Sequence, residues 1–141
     1  GAPGAGAGGS VAAGTVGGIN KANFKQVKSV QELDAALAAS RKPVMLDFYA
    51  DWCVSCHEME RFTFSDAGVA QRLAGMTLLQ ADVTANNAED RALLKRFRLF
   101  GPPGIIFFDE QGQPRDNPRV IGFQNARRFT QSLDEALAAA R

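Results

Sequence analysis

The chain has 141 residues, a formal net charge of +1 and 45% hydrophobic residues, which is enough for one domain with its own hydrophobic core. Acidic and basic residues are interspersed, so no basic run indicates a nucleic-acid partner or a membrane-surface patch. No apolar stretch approaches the roughly 20 residues needed to cross a bilayer, and we expect no direct membrane insertion of this chain.

The N-terminal segment, residues 1–20, is rich in glycine and alanine, and eight of the fourteen glycines precede residue 19. A segment of this composition cannot bury enough apolar surface to offset the entropy lost on ordering. We therefore predict a flexible linker over 1–20, either a tether to another domain or a remnant without function. The folded domain is expected over 21–141.

The first half of that domain begins with a short strand predicted at 24–28. A helix follows, which Ser29 and Glu32 open as a capping box. Residues 44–49 form a nearly continuous apolar run, which predicts a strand buried on both faces. A polar helical sequence comes next, over about 53–61.

The second half of the domain is divided by Gly101-Pro102-Pro103-Gly104, which breaks the chain sharply. Before the break we expect a short helix, a second buried strand and a helix capped by an asparagine. After it we expect a hairpin and a final helix. The order βαβαβαββα predicts an α/β fold with a central mixed sheet and helices on both faces. These later elements are predicted at 66–73, 77–82, 87–97, 105–108, 119–122 and 125–140.

The only two cysteines, Cys53 and Cys56, are three residues apart. A disulfide scaffold needs several dispersed cysteines, and so short a loop removes little entropy from the unfolded chain. Redox chemistry or metal binding therefore explains the pair better than stability does. Cys53 lies where a predicted helix starts, so unpaired backbone N–H groups and the helix dipole stabilise its thiolate. We predict Cys53 as the nucleophile and Cys56 as the resolving thiol.

Two other interpretations of the cysteine pair remain open. Cys53-Val54-Ser55-Cys56-His57 also fits the c-type haem attachment pattern, although buried strands around it are unlike the helical small cytochromes c. A structural zinc site usually needs four nitrogen or sulfur ligands, and the chain has two cysteines and one histidine. We therefore expect no cofactor and no metal.

Two carboxylates are candidates to tune the cysteines. Asp47 interrupts the apolar strand six residues before Cys53, and a polar residue there needs a reason. Glu60 lies four residues after Cys56 and seven after Cys53, on the same face of a helix. A buried carboxylate resists ionisation and can exchange a proton during thiol chemistry. For Glu60 an ordinary solvated position is the alternative, and at Asp47 a negative charge would oppose the helix dipole by raising the pKa of Cys53.

The stretch from Asp47 to Cys56, DFYADWCVSC, resembles the active-site strand and motif of the thioredoxin family. Pro103 matches that family's cis-proline, which lies beside the two sulfurs. The stretches 63–66 (TFSD) and 80–86 (QADVTAN) are similar to one branch, the C-terminal periplasmic domains of DsbD thiol:disulfide interchange proteins. The resemblance begins at about residue 24, extends to the C-terminus and implies a thioredoxin fold.

This resemblance also implies a function, that of a protein-disulfide reductase working through a reversible Cys53–Cys56 disulfide. Such a domain accepts electrons from a membrane-embedded domain of the same protein. It passes them to an N-terminal periplasmic domain, in both cases through mixed disulfides. The implied location is the periplasm, tethered to the inner membrane, and we expect the isolated domain to be a monomer. The alternatives are a free-standing thioredoxin-like reductase and a haem-handling module.

The family's site residues transfer by position to five further residues of this chain. Asp47 and Glu60 match its acidic residues near the sulfurs, and Trp52, Pro102 and Pro103 match its partner-binding and cis-proline positions. Two departures stand out. A histidine follows Cys56 where a lysine is common, and Pro102 replaces an aliphatic residue whose backbone N–H pairs with the partner chain. Because proline has no N–H, we predict that one of those bonds is missing here.

Overall fold

A computed structural model describes residues 18–139, and predictions for 1–17 and 140–141 lie outside the described residues. The strands are β1 (Lys25–Gln26), β2 (Val44–Tyr49), β3 (Thr77–Asp82), β4 (Gly104–Phe108) and β5 (Pro114–Ile121). The helices are α1 (Val30–Ala39), α2 (Val54–Glu58), α3 (Ala67–Leu73), α4 (Ala88–Arg96) and α5 (Ala126–Ala139). A single 3-10 turn (Lys21–Asn23) precedes β1, and α2 continues as a π-helical segment (Met59–Thr63).

The five strands form one mixed sheet in the order β1-β3-β2-β4-β5. Strand β3 runs parallel to β1 and β2, whereas β4 is antiparallel to both β2 and β5. This order places β2 in the centre, where all six of its residues are buried. The predicted mixed sheet is confirmed, and so is the strand buried on both faces.

Hydrophobic clusters cover both faces of the sheet, which confirms the predicted placement of helices on either side. One cluster joins α1 and α4 to the sheet through Leu33 and Leu93, and it includes Cys53 and Cys56. The other joins α3 and α5 to the opposite face, with the fully buried Phe129 at its centre. The two cysteines therefore belong to the core of one face.

The chain is already packed against the domain at Gly18, two residues before the predicted end of the linker. The N–H of Ile19 donates to the carbonyl of Phe64 at 2.7 Å. A Cβ atom at Gly18 would lie only 2.3 Å from the Cα of Ser65, so this close approach requires glycine. The folded domain thus extends before residue 21, and the linker stays a prediction for residues 1–17.

Several element boundaries differ from those predicted. The helix expected to end near Arg61 extends to Thr63, because a π-helical turn pairs the N–H of Phe64 with the carbonyl of Met59 at 2.8 Å. At α1 the Ser29 hydroxyl caps the N–H of Glu32 as predicted, but the Glu32 carboxylate accepts from Lys28 instead of Ser29. Strand β5 begins five residues before its predicted start. The prediction was too short because the polar, mostly exposed first half of this strand shows no apolar alternation.

Candidate active site

The two cysteines form a disulfide just beyond the C-terminal end of β2. Cys53 has extended backbone geometry and is the N-cap residue of α2, as predicted. The Cα atoms of Cys53 and Cys56 are 5.3 Å apart, within the ordinary range for a disulfide. One turn of helix therefore supplies both sulfurs.

The two sulfurs have equal exposure but opposite electrostatic surroundings. Each cysteine is only 6% exposed. The backbone N–H of Cys56 donates to Cys53 Sγ at 3.1 Å, whereas Cys56 Sγ lies 3.8 Å from the carbonyl oxygen of Phe48. A donor next to a sulfur favours the thiolate, and an acceptor next to it favours the protonated thiol. These contacts support Cys53 as the nucleophile after reduction.

Asp47 is buried in the centre of β2, with 7% of its surface exposed. Its Oδ2 accepts a hydrogen bond from Gln80 Nε2 at 3.0 Å. Burial raises the pKa of Asp47 from 3.8 to about 7. The Gln80 hydrogen bond opposes this increase, the charge of Glu60 adds to it, and the charge of Lys21 reduces it. Asp47 can thus gain or lose a proton near neutral pH.

The amide group of Gln80 is oriented to donate to Asp47, because two hydrogen-bond donors contact its oxygen atom. Its Oε1 accepts from Lys21 Nζ at 2.9 Å and from Gln26 Nε2 at 2.7 Å, so its NH₂ group faces the carboxyl. Lys21 Nζ also pairs with Asp82 Oδ2 at 2.9 Å. Burial disfavours ionisation of Asp82, but hydrogen bonds from Thr84 and Lys21 outweigh it and lower the pKa of Asp82. Lys21 is therefore anchored between an amide and an ionised carboxylate.

Glu60 lies in the π-helical segment, with 30% of its side chain exposed. It acts on Asp47 through its charge, and its Oε1 is 3.8 Å from Nδ1 of His57. The other ring nitrogen of His57, Nε2, is 2.7 Å from the carbonyl oxygen of Asp51. His57 thus connects the turn before Cys53 to the carboxylate that follows the cysteines.

Trp52 is anchored at its polar end and exposed at its ring. Its Nε1–H donates to the carbonyl of Thr84 at 3.0 Å, and the Thr84 hydroxyl accepts from the N–H of Asp51 at 2.9 Å. The residue is nevertheless 59% exposed, and its neighbour Val54 is 72% exposed. An apolar surface therefore flanks the disulfide.

The Pro102–Pro103 bond is cis, as predicted, and both residues are partly exposed. The carbonyl of Pro103 accepts from the N–H of Gly122 at 3.2 Å. The next residue, Gly104, pairs with Phe48 across β2 and β4. Because the Phe48 carbonyl faces Cys56, this register brings the proline loop close to the disulfide.

Sequence reasoning missed three residues of this site. Gln80 carried a usable signal, because it interrupts an apolar strand just as Asp47 does. Thr84 lies in the stretch 80–86 that carries the family resemblance, but nothing local pairs it with Trp52, which is 32 residues away. Lys21 carried no signal, since its partner Gln80 is 59 residues away.

Within residues 18–139 no cluster of three or more His, Cys, Asp or Glu side chains is arranged to hold a metal ion. No helix in the same part of the chain is both long and apolar enough to span a membrane.

Fold and site together define a class of protein. A family model described as a thioredoxin-like domain matches residues 30–137, and the chain therefore belongs to the thioredoxin-like family. A thioredoxin from Thermus thermophilus shares the fold, with a TM-score of 0.65 and 24% identity over 84% of this chain and 90% of that one.

Within that family, the chain groups with the C-terminal domain of the thiol:disulfide interchange protein DsbD. The oxidised C-terminal domain of DsbD from Neisseria meningitidis superimposes with a TM-score of 0.66 and 37% identity, covering 80% of this chain and 97% of that one. DsbD of Ralstonia nicotianae is 60% identical over 121 residues, 84% of this chain and 20% of that protein. DsbD of Escherichia coli O6:H1 is 54% identical over 112 residues, which cover 79% of this chain and 20% of that protein. The chain thus spans about one fifth of these relatives.

Asp47→Asn should remove a pH-dependent loss of stability. Because the folded-state pKa is raised, the folded protein binds this proton more tightly than the unfolded chain does. Stability from this group is complete below pH 4 and is lost as the pH rises through about 7. A shift from 3.8 to about 7 corresponds to about 4 kcal/mol. Urea unfolding of the oxidised protein between pH 4 and pH 8 should give a flatter stability profile for the variant, and identical profiles would contradict the burial account.

Gln80→Leu should raise the pKa of Asp47 further, because the carboxylate loses its hydrogen bond. Lys21→Met should raise it by less, since it removes only a charge and a support for Gln80. Lys25→Met is the matched control, because Lys25 is an exposed lysine on the adjacent β1. The carboxyl ¹³C shift of Asp47 can be titrated by NMR in each oxidised variant. Equal changes in the pKa of Asp47 in the Lys21 and Lys25 variants would show that Lys21 acts only through the net charge of the protein.

Proposed function

We propose that this domain is a thiol–disulfide oxidoreductase that carries electron pairs through the Cys53–Cys56 couple. The observation that supports this function most directly is the disulfide itself, placed at the start of a helix with a donor at one sulfur and an acceptor at the other. The grouping with a DsbD C-terminal domain in its oxidised form supports the same reaction.

In the reducing direction, the Cys53 thiolate attacks one sulfur of a partner disulfide. A mixed disulfide forms, and the partner's other sulfur leaves as a thiolate that takes up a proton. Cys56 then attacks Cys53 Sγ, which releases the second partner sulfur and restores the Cys53–Cys56 disulfide. Two electrons pass to the partner, and the domain is oxidised.

Cys56 must lose its proton before it attacks, and a nearby base accelerates that step. Asp47 is proposed to accept this proton, because it directly precedes Phe48, whose carbonyl oxygen lies 3.8 Å from Cys56 Sγ. Burial also raises the pKa of Asp47 to about 7, and a base is most effective when its pKa is near the working pH. Glu60 supports this proton exchange by raising the pKa of Asp47. The proposed catalytic residues are therefore Cys53, Cys56, Asp47 and Glu60.

The proposed partners are other domains of a longer protein, because the chain matches only about a fifth of each DsbD relative. Electrons would arrive from a membrane-embedded domain and leave to an N-terminal periplasmic domain, each through a mixed disulfide. The domain would then work in the periplasm, tethered to the inner membrane. Trp52, Pro102 and Pro103 are proposed to contact these partners. A haem-handling role has less support, because each cysteine is only 6% exposed and both belong to the core of a thioredoxin-like fold.

Cys56→Ser should accumulate a mixed disulfide with the N-terminal periplasmic domain, because the second attack cannot occur. Cys53→Ser should accumulate none, since the remaining thiol is held beside the Phe48 carbonyl. Non-reducing electrophoresis and mass spectrometry after mixing with the oxidised partner domain would identify the adduct. Trapping through Cys56 in the Cys53→Ser variant would reverse the assignment of the two sulfurs. A free-standing reductase would instead show no preference for that domain over unrelated protein disulfides.

Pro102→Leu and Pro102→Ala should both tighten the noncovalent complex with the partner domain, because each restores a backbone N–H. One recovered neutral hydrogen bond is worth about 0.5–1.5 kcal/mol, which is up to about tenfold in affinity. Isothermal titration calorimetry, with both cysteines of each domain replaced by serine, measures the noncovalent binding affinity without mixed-disulfide formation. If only the leucine variant tightens, the gain comes from its side chain. If neither does, the proline serves to stiffen the loop.

A further inference from the structure

Four arginines surround a cleft of about 210 Å³ between the end of α4 and strand β5. Arg96 is the last residue of α4 and Arg98 lies two residues beyond it, whereas Arg115 and Arg119 come from β5. The β4–β5 ladder is irregular between Pro114 and Arg119, and both arginines of this segment line the cleft. We call this feature the arginine cleft, and its one acidic lining residue is Asp116.

The floor of the arginine cleft is apolar. Leu37, Ile106 and Phe108 are buried there, and Phe97 is partly buried. An apolar floor keeps water away from one side of the cleft, so electrostatic interactions inside it are stronger than on an open surface.

The arginine cleft keeps a net positive charge, because its four arginines are opposed only by Asp116 in the lining and by Asp34 beside Arg96. Arg96 pairs with Asp34 at 2.9 Å. Among the described residues, the other three arginines form no ion pair within 4 Å, and Asp116 forms none either. Arg119 Nη2 donates to the carbonyl of Phe97, which fixes its guanidinium against the floor without supplying a negative charge.

Two guanidinium donors that belong to residues of the cleft lining are also buried without an acceptor. The Nε atoms of Arg115 and Arg119 are both inaccessible and lack a hydrogen-bond partner. Arginine remains charged at any pH of interest. Buried polar groups in folded proteins almost always have a partner, and an exception points to a bound water or ion.

We propose that the arginine cleft binds a phosphate-class oxyanion. A guanidinium donates two parallel hydrogen bonds to phosphate oxygens, and its affinity for this group is correspondingly high. Three unpaired guanidiniums match the charge and the several acceptor oxygens of a phosphate better than those of a single carboxylate. The phosphate belongs either to free inorganic phosphate or to the headgroup of an anionic phospholipid.

The arginine cleft is separate from the redox site. Strand β4 connects the two, with Gly104 beside Phe48 near the disulfide and Phe108 in the floor of the cleft. Four residue steps along a strand span roughly 14 Å, so an anion bound in the cleft does not touch the sulfurs. Anion binding can therefore be tested independently of thiol chemistry.

The test is an NMR titration of the oxidised protein with sodium phosphate at constant ionic strength, with sodium chloride as the reference. The arginine Nε–Hε signals of Arg115 and Arg119 should shift saturably with phosphate and not with chloride. Non-saturable shifts, or equal shifts on the exposed Arg127 of α5, would overturn the proposal.

Arg115→Gln and Arg119→Gln should each weaken phosphate binding by about tenfold, as expected for loss of a charge-assisted hydrogen bond. Arg127→Gln, the matched control, should have no effect. All three variants should reduce a small aromatic disulfide at the wild-type rate. Arg119 also supports Phe97, so its variant needs a thermal unfolding check, whereas Arg115→Gln disturbs no described hydrogen bond of that side chain. Unchanged phosphate affinity in Arg115→Gln would refute the site.

Vesicle sedimentation distinguishes the two sources of phosphate. Binding to phosphatidylglycerol vesicles but not to phosphatidylcholine vesicles, with competition by inorganic phosphate and loss in Arg115→Gln, would identify the lipid headgroup. Phosphate binding without vesicle binding would identify the free ion. Absence of both would overturn the proposal.

Discussion

Burial of one carboxyl group in the central strand is the constraint on which the rest of the site depends. Asp47 occupies β2, whose six residues are all buried, so water cannot solvate its charge. The carboxyl group accepts one hydrogen bond from Gln80, whose amide is in turn held by Lys21 and Gln26. This arrangement leaves the carboxyl close to the point where both protonation states are accessible near neutral pH.

The two sulfurs of the disulfide differ in the backbone groups that contact them. An N–H lies at Cys53 and a carbonyl at Cys56, although the two residues are equally buried. Exposure therefore does not distinguish the two sulfurs, whereas the direction of the nearest peptide dipole does, and it favours the proposed role of Cys53 as the nucleophile. Backbone dipoles arranged in advance cost no reorganisation when charge develops. Strand β2 and the start of α2 thus support both the proposed order of the thiol steps and the proposed proton acceptor.

Much of this organisation was predictable from local patterns. The apolar run at β2, the Cys-x-x-Cys pair at a helix start and the polar interruption by Asp47 each predicted a feature that the structure contains. Long-range polar pairs were not predictable, because nothing local to Lys21 indicates that it meets Gln80. The π-helical turn after α2 was also missed, since a widened turn keeps the composition of an ordinary helix. Strand β5 was predicted too short, because an outer strand with polar residues lacks the alternation that marks a half-buried one.

The contact between Ile19 and Phe64, together with the anchoring of Lys21, affects how the domain should be delimited. A protein trimmed to begin at Phe24 would keep every strand and all five α-helices of the described residues. It would lose the ammonium group that orients Gln80, and with it part of the environment of Asp47. Such a shortened protein would look intact by circular dichroism and still exchange protons differently. The segment that contains every strand and α-helix and the segment that contains the complete surroundings of Asp47 therefore have different first residues.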